Sequence, residues 1–239
     1  MFSFFKKTPL PNFPFHALAS DVHSHILPGI DDGSPDPETS IALINGMQDL
    51  GFQEFTGTPH VMEDLYRNNT ESILQAHHLL QQRLQAEGMS MEVRPAAEYL
   101  VDGNFEQLLQ DRTPLLTIKD NWVLFEISFI QPPRQLKPII FELQLQGYQP
   151  VLAHPERYGY YHARKTALEE LHHLGCYFQS NLLSFSGYYG VAAQQAAEFL
   201  AEKGLTSILG TDLHHQRHLE ALRELKLTNG LKKVLAKGN

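Results

Sequence analysis

Short runs of β-branched and aromatic residues alternate along the chain with longer stretches whose apolar positions recur every three to four residues. The short runs predict strands at 17–22, 53–58, 91–97, 122–127, 150–153, 176–180 and 207–211. The longer stretches predict helices near 38–50, 70–87, 104–110, 134–146, 164–174 and 190–203, with two more near 216–225 and 228–236. In the second of these, Ile73, Leu74, His77, Leu80 and Leu84 fall on one side at helical spacing. Five helical stretches stop at a glycine just before the next apolar run (Gly51, Gly88, Gly147, Gly175, Gly204), the residue that takes a left-handed helix end without steric cost. Regular strand–helix alternation implies a parallel sheet with crossover helices. No linker or low-complexity tract divides the 239 residues. We therefore expect one domain over 17–239, preceded by an arm over 1–16 that Pro9, Pro11 and Pro14 interrupt.

Polar residues able to bind metal fall in phase with this pattern. His23 and His25 follow the first predicted strand (DVHSHI), and His60 follows the second (TGTPH). Glu98 follows the third (AAEYL), Glu126 ends the fourth (VLFEIS) and His154 follows the fifth (VLAHPERY). Asn181 follows the sixth, and Asp212 and His214 the seventh (LGTDLHH). A single strand-end histidine is more often a packing or capping residue. Eight ligand-type residues in phase with strand ends are hard to explain by packing. In a closed parallel barrel those ends share one face, where such enzymes build active sites. His-x-His puts two imidazoles on the same side of an extended segment, and imidazole with carboxylate suits Zn, Mn or Fe. Glu98, Glu126 and Asp212 would repel one another without cations, and no lysine stands at the strand ends to neutralise them.

Composition narrows the chemistry. Thirteen histidines are many for a chain with 19 Lys+Arg. A net charge of −8 offers no basic face for nucleic acid. The one cysteine, Cys176, excludes an internal disulfide framework. A cysteine phosphatase would need arginine six positions later, where Leu182 stands. Neither G-x-S-x-G nor G-x-x-x-x-G-K-[ST] occurs. No stretch reaches the length of a membrane span or signal-peptide core, so a cytoplasmic protein without membrane insertion is expected.

The segments DVHSHILPGIDDG, TPH, AAEY, LFEIS, AHPERY and GTDLH span residues 21–214. Together they resemble the PHP superfamily of metal-dependent phosphoesterases. Within it the chain is similar to bacterial protein-tyrosine phosphatases of the CpsB/CapC type, found with capsule and exopolysaccharide biosynthesis. The resemblance implies an α/β fold, a distorted seven-stranded (β/α) barrel, and a site for three divalent ions, commonly Mn, with Fe or Zn as alternatives. His23, His25, Glu98 and Asp212 would hold a first ion. Glu98 would bridge to a second, held also by Glu126 and His154, and Asp32, His60 and His214 would hold the third. Asp31 is the less favoured neighbour of Asp32. Four carboxylates against three divalent cations would leave a centre of about +2, which favours an anionic phosphate ester despite the acidic chain. Arg157 of HPERY would contact the phosphate; Arg217 would be a second such arginine or a solvated helix residue. The implied substrate is a phosphotyrosine protein, the tail of a bacterial tyrosine kinase. Other readings are a small-molecule phosphatase, such as one for histidinol phosphate, and a metal-binding regulatory protein without turnover. A nuclease of the same superfamily is disfavoured by the charge. Segments 61–69, with Arg67, and 182–190 are candidate rim loops, and His215 and His218 have open roles. The oligomeric state is not indicated.

Overall fold

All seven predicted strands and eight predicted helices have counterparts in the computed structural model, which describes residues 12–238. The order is β1 (Ser20–Ser24), α1 (Pro37–Leu50), β2 (Glu54–Gly57), β3 (His60–Val61), α2 (Thr70–Ala86), β4 (Val93–Pro95), β5 (Glu98–Leu100), α3 (Gly103–Gln110) and β6 (Trp122–Glu126). It continues with α4 (Leu136–Leu145), β7 (Gln149–Ala153), α5 (Gly159–His162), α6 (Lys165–His173), β8 (Tyr177–Asn181), α7 (Val191–Lys203), β9 (Ile208–Gly210), α8 (Gln216–Arg223) and α9 (Asn229–Lys237). Local chemistry marks the helix starts. Asp36 accepts from Thr39 N ahead of Pro37, Asn69 and Ser72 form a reciprocal capping box, and Asp102 caps α3. In α2 the buried positions are Ile73, Ala76, Leu80 and Leu84; Leu74, expected on that face, is 44% exposed.

Every strand pair is parallel, in two sheets rather than one ladder: β1-β2-β4, and β3-β5-β6-β7-β8-β9. The expected closed seven-stranded barrel is not formed as a continuous ladder among the described residues. β2 and β4 fall within the predicted strands 53–58 and 91–97, and after a break each is followed by a short strand that was not predicted, β3 and β5. The first break contains Pro59, which has no N–H to give a ladder. Single hydrogen bonds cross the breaks: Ala96 N donates to Gly57 O (2.8 Å) and Glu98 N to Pro59 O (3.1 Å). On the other side Asp212 N donates to His23 O and His25 N to Leu213 O, both at 2.8 Å. Buried Asp21 reinforces that seam by accepting from Thr211 N (2.9 Å) and the Thr211 hydroxyl; burial pushes its carboxyl up to about 6.

A large core joins the helices to the outer sheet faces, running from Phe13 to Val234. The inner faces carry a smaller cluster that includes Ala96, Leu124, Val151, Ala153 and Ile208. Because side chains on one face recur every two residues, Glu98 and Glu126 lie one step beyond Ala96 and Leu124. Asp212 lies two steps beyond Ile208. The apolar cluster is thus the floor beneath the polar strand ends. Most of the expected arm lies outside the described residues; Phe13 and Phe15 are buried, and Phe13 N donates to Leu225 O. Among the described residues no helix is long and apolar enough to cross a membrane.

Candidate metal centre

The nine donors singled out in the sequence converge at these strand ends. His23 lies within β1, His60 opens β3, Glu98 opens β5, Glu126 closes β6, and His154 follows β7 directly. Asp212 and His214 follow β9, and Asp32 comes from the loop after β1. His154 and Asp212 have φ of 35° and 54°, a left-handed backbone that costs a non-glycine residue about 1–2 kcal/mol. Such outliers gather at functional sites, where the surrounding structure holds them. The loop after β1 folds back tightly, with Ser34 N donating to His25 O (2.9 Å). A Cβ at Gly33 would collide with the His25 carbonyl and Cβ, so this turn needs glycine.

Ligand-type atoms form four overlapping groups: His25, Asp32, His60, His214; His23, His25, Asp212; His23, Glu98, His154; and His60, Glu98, Glu126. All nine candidates occur among them. Glu98 is the hub, with His154 Nε2 at 3.0 Å, His60 Nδ1 at 3.1 Å, His23 Nε2 at 3.3 Å and His25 Nε2 at 3.4 Å. His60 Nδ1 also lies 2.8 Å from Glu126 Oε1. Yet His60 Nδ1, Glu98 Oε2 and Glu126 Oε1 are buried without a hydrogen-bond partner, as is His154 Nδ1. These atoms are close in distance but not aligned as donor and acceptor. Orphaned buried polar atoms of this kind are costly, and a divalent cation among them satisfies them at once. The donor set fits that group: neutral imidazoles and carboxylates are the usual ligands of Mn, Fe and Zn.

Charge supports the same fit. By protein groups alone, burial would raise the Glu98 carboxyl, but His23 and His60 hold it well below the usual range. Burial opposes charge on His23, yet Glu98 and Asp212 outweigh it and push His23 up to about 9. His214 is driven the other way, to about 4, by burial and by His25. A buried set of acids therefore demands positive charge, and the histidines cannot all carry it.

Several supporting residues were not legible in the sequence. Asp31, disfavoured as a ligand, is a positioning group: its Oδ2 accepts from His25 Nδ1 (2.7 Å) and His60 N (3.2 Å), and its Oδ1 from Gly33 N (2.9 Å). Burial would raise its carboxyl, but His25 brings it down to about 2. With Nδ1 so engaged, His25 directs Nε2 into the cluster. Carboxylates behind ligating histidines tune affinity, so Asp31→Asn is expected to weaken Mn2+ binding about 10- to 100-fold, read by titration calorimetry; unchanged affinity would remove this role. The doubled acid in IDDG was the only sequence signal for it.

Beside the donors lies a cavity of about 530 Å³. Arg157 lines it, with Nη1 2.8 Å from Asp212 Oδ2 and its guanidinium stacked 4.3 Å from the Tyr189 ring centroid and 5.2 Å from that of Phe129. Tyr66 stacks on His60 at 5.6 Å, and Phe129 on His154 at 5.8 Å. Both rim segments thus reach the cavity, through Met62, Leu65 and Tyr66 from one and Tyr189 from the other. Arg67 turns instead to Glu63 O (2.7 Å). His215 and His218 line the cavity, and His215 caps α8. Arg217 is exposed in the first turn of α8 and is not among the lining residues.

Residues 19–237 match the family described as "Capsular polysaccharide synthesis, CpsB/CapC". Tyrosine-protein phosphatase YwqE of Bacillus subtilis (strain 168) is 32% identical over 196 residues, covering 82% of this chain and 77% of its own. Tyrosine-protein phosphatase CpsB of Streptococcus pneumoniae is 28% identical over 204 residues, 82% of each chain. A solved structure from the crystallography of YwqE from Bacillus subtilis and CpsB from Streptococcus pneumoniae, described as unique metal-dependent tyrosine phosphatases, matches with a TM-score of 0.78 and 30% identity. It covers 91% of this chain and 86% of that one. On the span of that match and the similarity of these relatives, the chain belongs to the CpsB/CapC family.

Proposed function

We propose that this chain is a metal-dependent protein-tyrosine phosphatase serving capsule or exopolysaccharide synthesis. The carrying observation is the group His60, Glu98 and Glu126, whose facing atoms are buried, 2.8–3.1 Å apart and without hydrogen bonds. We read the two sheets as arcs of one distorted seven-stranded barrel within a single domain over 17–239. We assign His23, His25, Asp32, His60, Glu98, Glu126, His154, Asp212 and His214 as ligands of three divalent ions, with Mn2+ favoured and Fe or Zn served by the same donors. Such cations would supply positive charge against phosphoryl oxygens and would lower the pKa of water to about 7.

The protein's own groups do the rest. Arg157 presents a planar fork that matches two phosphoryl oxygens. Asp212 and the rings of Tyr189 and Phe129 hold that fork at the cavity wall. Tyr66, Phe129 and Tyr189 give the walls an aromatic character suited to a phenyl ring. Cys176 is fully buried, and burial pushes its thiol up, so it is no nucleophile. Water is therefore the attacking group: its oxygen bonds to phosphorus and gives up a proton, the bond from phosphorus to the phenolic oxygen breaks, and the phenolate takes up a proton in turn. A phenolate, with a parent pKa near 10, leaves without a strong general acid. Arg217 serves at most as a distant rim cation, screened by salt. The physiological substrate in this reading is the tyrosine-rich tail of a bacterial tyrosine kinase, met in the cytoplasm.

A substrate panel tests the proposal. With Mn2+ supplied, the chain is expected to release phosphate from phosphotyrosine peptides at least about tenfold faster than from histidinol phosphate or phosphoserine peptides, because alkoxide is the poorer leaving group. Absence of release from every phosphotyrosine peptide would overturn it.

A further inference from the structure

We propose that Gln179 and Asn181 on β8 form a polarised amide relay that sets His23 and Asp212 as ligands, which makes Gln179 a positioning residue. This rests on reading the centre as a metal site. Asp212 Oδ2 accepts from Arg157 Nη1 (2.8 Å), so the group is a carboxylate and can only accept. Asn181 Nδ2 therefore donates to it (2.6 Å), which leaves Asn181 Oδ1 to accept from Gln179 Nε2 (2.9 Å). Gln179 Oε1 is then an acceptor, and His23 Nδ1–H donates to it (2.7 Å). Each bond in the chain is dictated by the one before, starting at the carboxylate. The last bond leaves the His23 lone pair on Nε2, the atom 3.3 Å from Glu98 Oε2 and 3.5 Å from Asp212 Oδ1.

The surroundings are built for these amides. Gln179 and Asn181 are fully buried. Asn181 N donates to Glu156 Oε1 (2.8 Å), which also accepts from Ser184 Oγ (2.7 Å), so the end of β8 is tied to the HPERY segment. A Cβ at Gly210 would stand 2.8 Å from Gln179 Nε2 and 2.9 Å from His23 Cβ, so β9 leaves a slot for the glutamine. A residue needed only for volume would be served by leucine or methionine, without two buried amides to satisfy. The relay couples ligands on opposite ends of one hydrogen-bond chain: moving Asp212 reorients His23, and the reverse.

The test uses the full chain with Zn2+, which is diamagnetic. In the 15N-labelled, Zn2+-loaded wild type, His23 is expected to carry its proton on Nδ1. Gln179→Met keeps the length but not the polarity, and is expected to weaken Zn2+ binding about 10- to 100-fold in a competitive titration. Gln179→Glu keeps an acceptor opposite His23 Nδ1 but faces Asn181 Oδ1 with a second acceptor, and is expected to recover only part of that loss. A proton on His23 Nε2 in the wild type, or a folded Gln179→Met chain that binds Zn2+ within about twofold of wild type, would overturn the relay alone. If Gln179→Met does not fold, as judged by thermal melting, the wild-type tautomer and the Gln179→Glu affinity decide. A wild-type chain that binds neither Zn2+ nor Mn2+ would overturn the metal reading beneath it.

Discussion

Glu98→Gln is expected to lower phosphate release from a phosphotyrosine peptide by at least about 10³-fold, because cation stabilisation of the reacting charges is worth several kcal/mol and each 1.36 kcal/mol is a factor of ten. The substitution keeps the shape of the side chain and removes the charge. Four imidazole nitrogens lie within 3.4 Å of that carboxylate, and it belongs to two of the four donor groups. An amide there offers one neutral oxygen and points N–H bonds at atoms that need a cation. Metal content should fall with activity, read by elemental analysis of the purified variant. A Glu98→Gln chain that keeps its full metal complement and turns over within tenfold of wild type would remove Glu98 from the centre of the site.

Arg157→Ala should cost about 10²- to 10³-fold in kcat/KM, the usual effect of deleting one donor aimed at developing charge. Its metal content is expected to fall far less than that of Glu98→Gln. Some loss is expected all the same, because Arg157 Nη1 holds Asp212 Oδ2 at 2.8 Å. Arg157→Lys restores the charge but not the planar fork, nor the stacking between Tyr189 and Phe129, and should recover little. Full turnover in the alanine variant would show that the phosphate is held elsewhere. A larger loss of metal than of turnover would make Arg157 a support for Asp212 only.

The fold was largely legible because its signals are local. Glycine ended the helices where expected: Gly51 and Gly204 cap α1 and α7 with φ of 113° and 72°. Eight of the donors could be found because strand ends in an alternating chain share a face, whereas Asp32, in the loop after β1, came only with the family resemblance. What stayed hidden depends on pairings that no local pattern encodes. His23 meets Gln179 across 156 positions, and Asp21 meets Thr211 across 190. Asp31 and Asp32 are adjacent and chemically identical, yet Asp31 is turned inward to His25 while the Asp32 side chain is 52% exposed at the mouth. Only the geometry of the turn around Gly33 separates them. Proline flags both strand breaks: Pro59 lies between β2 and β3, and Pro95 closes β4 just before Ala96–Ala97.

The left-handed backbone at His154 and Asp212 bears on how this chemistry can be lost. Glycine sits in that conformation freely, and asparagine with little strain. An imidazole and a carboxylate stand at these two places, and histidine and aspartate take that backbone more readily than bulkier side chains do. Glycine at 212 would relieve the backbone strain, yet it would leave Arg157 Nη1 and the buried Asn181 Nδ2 without the acceptor they share.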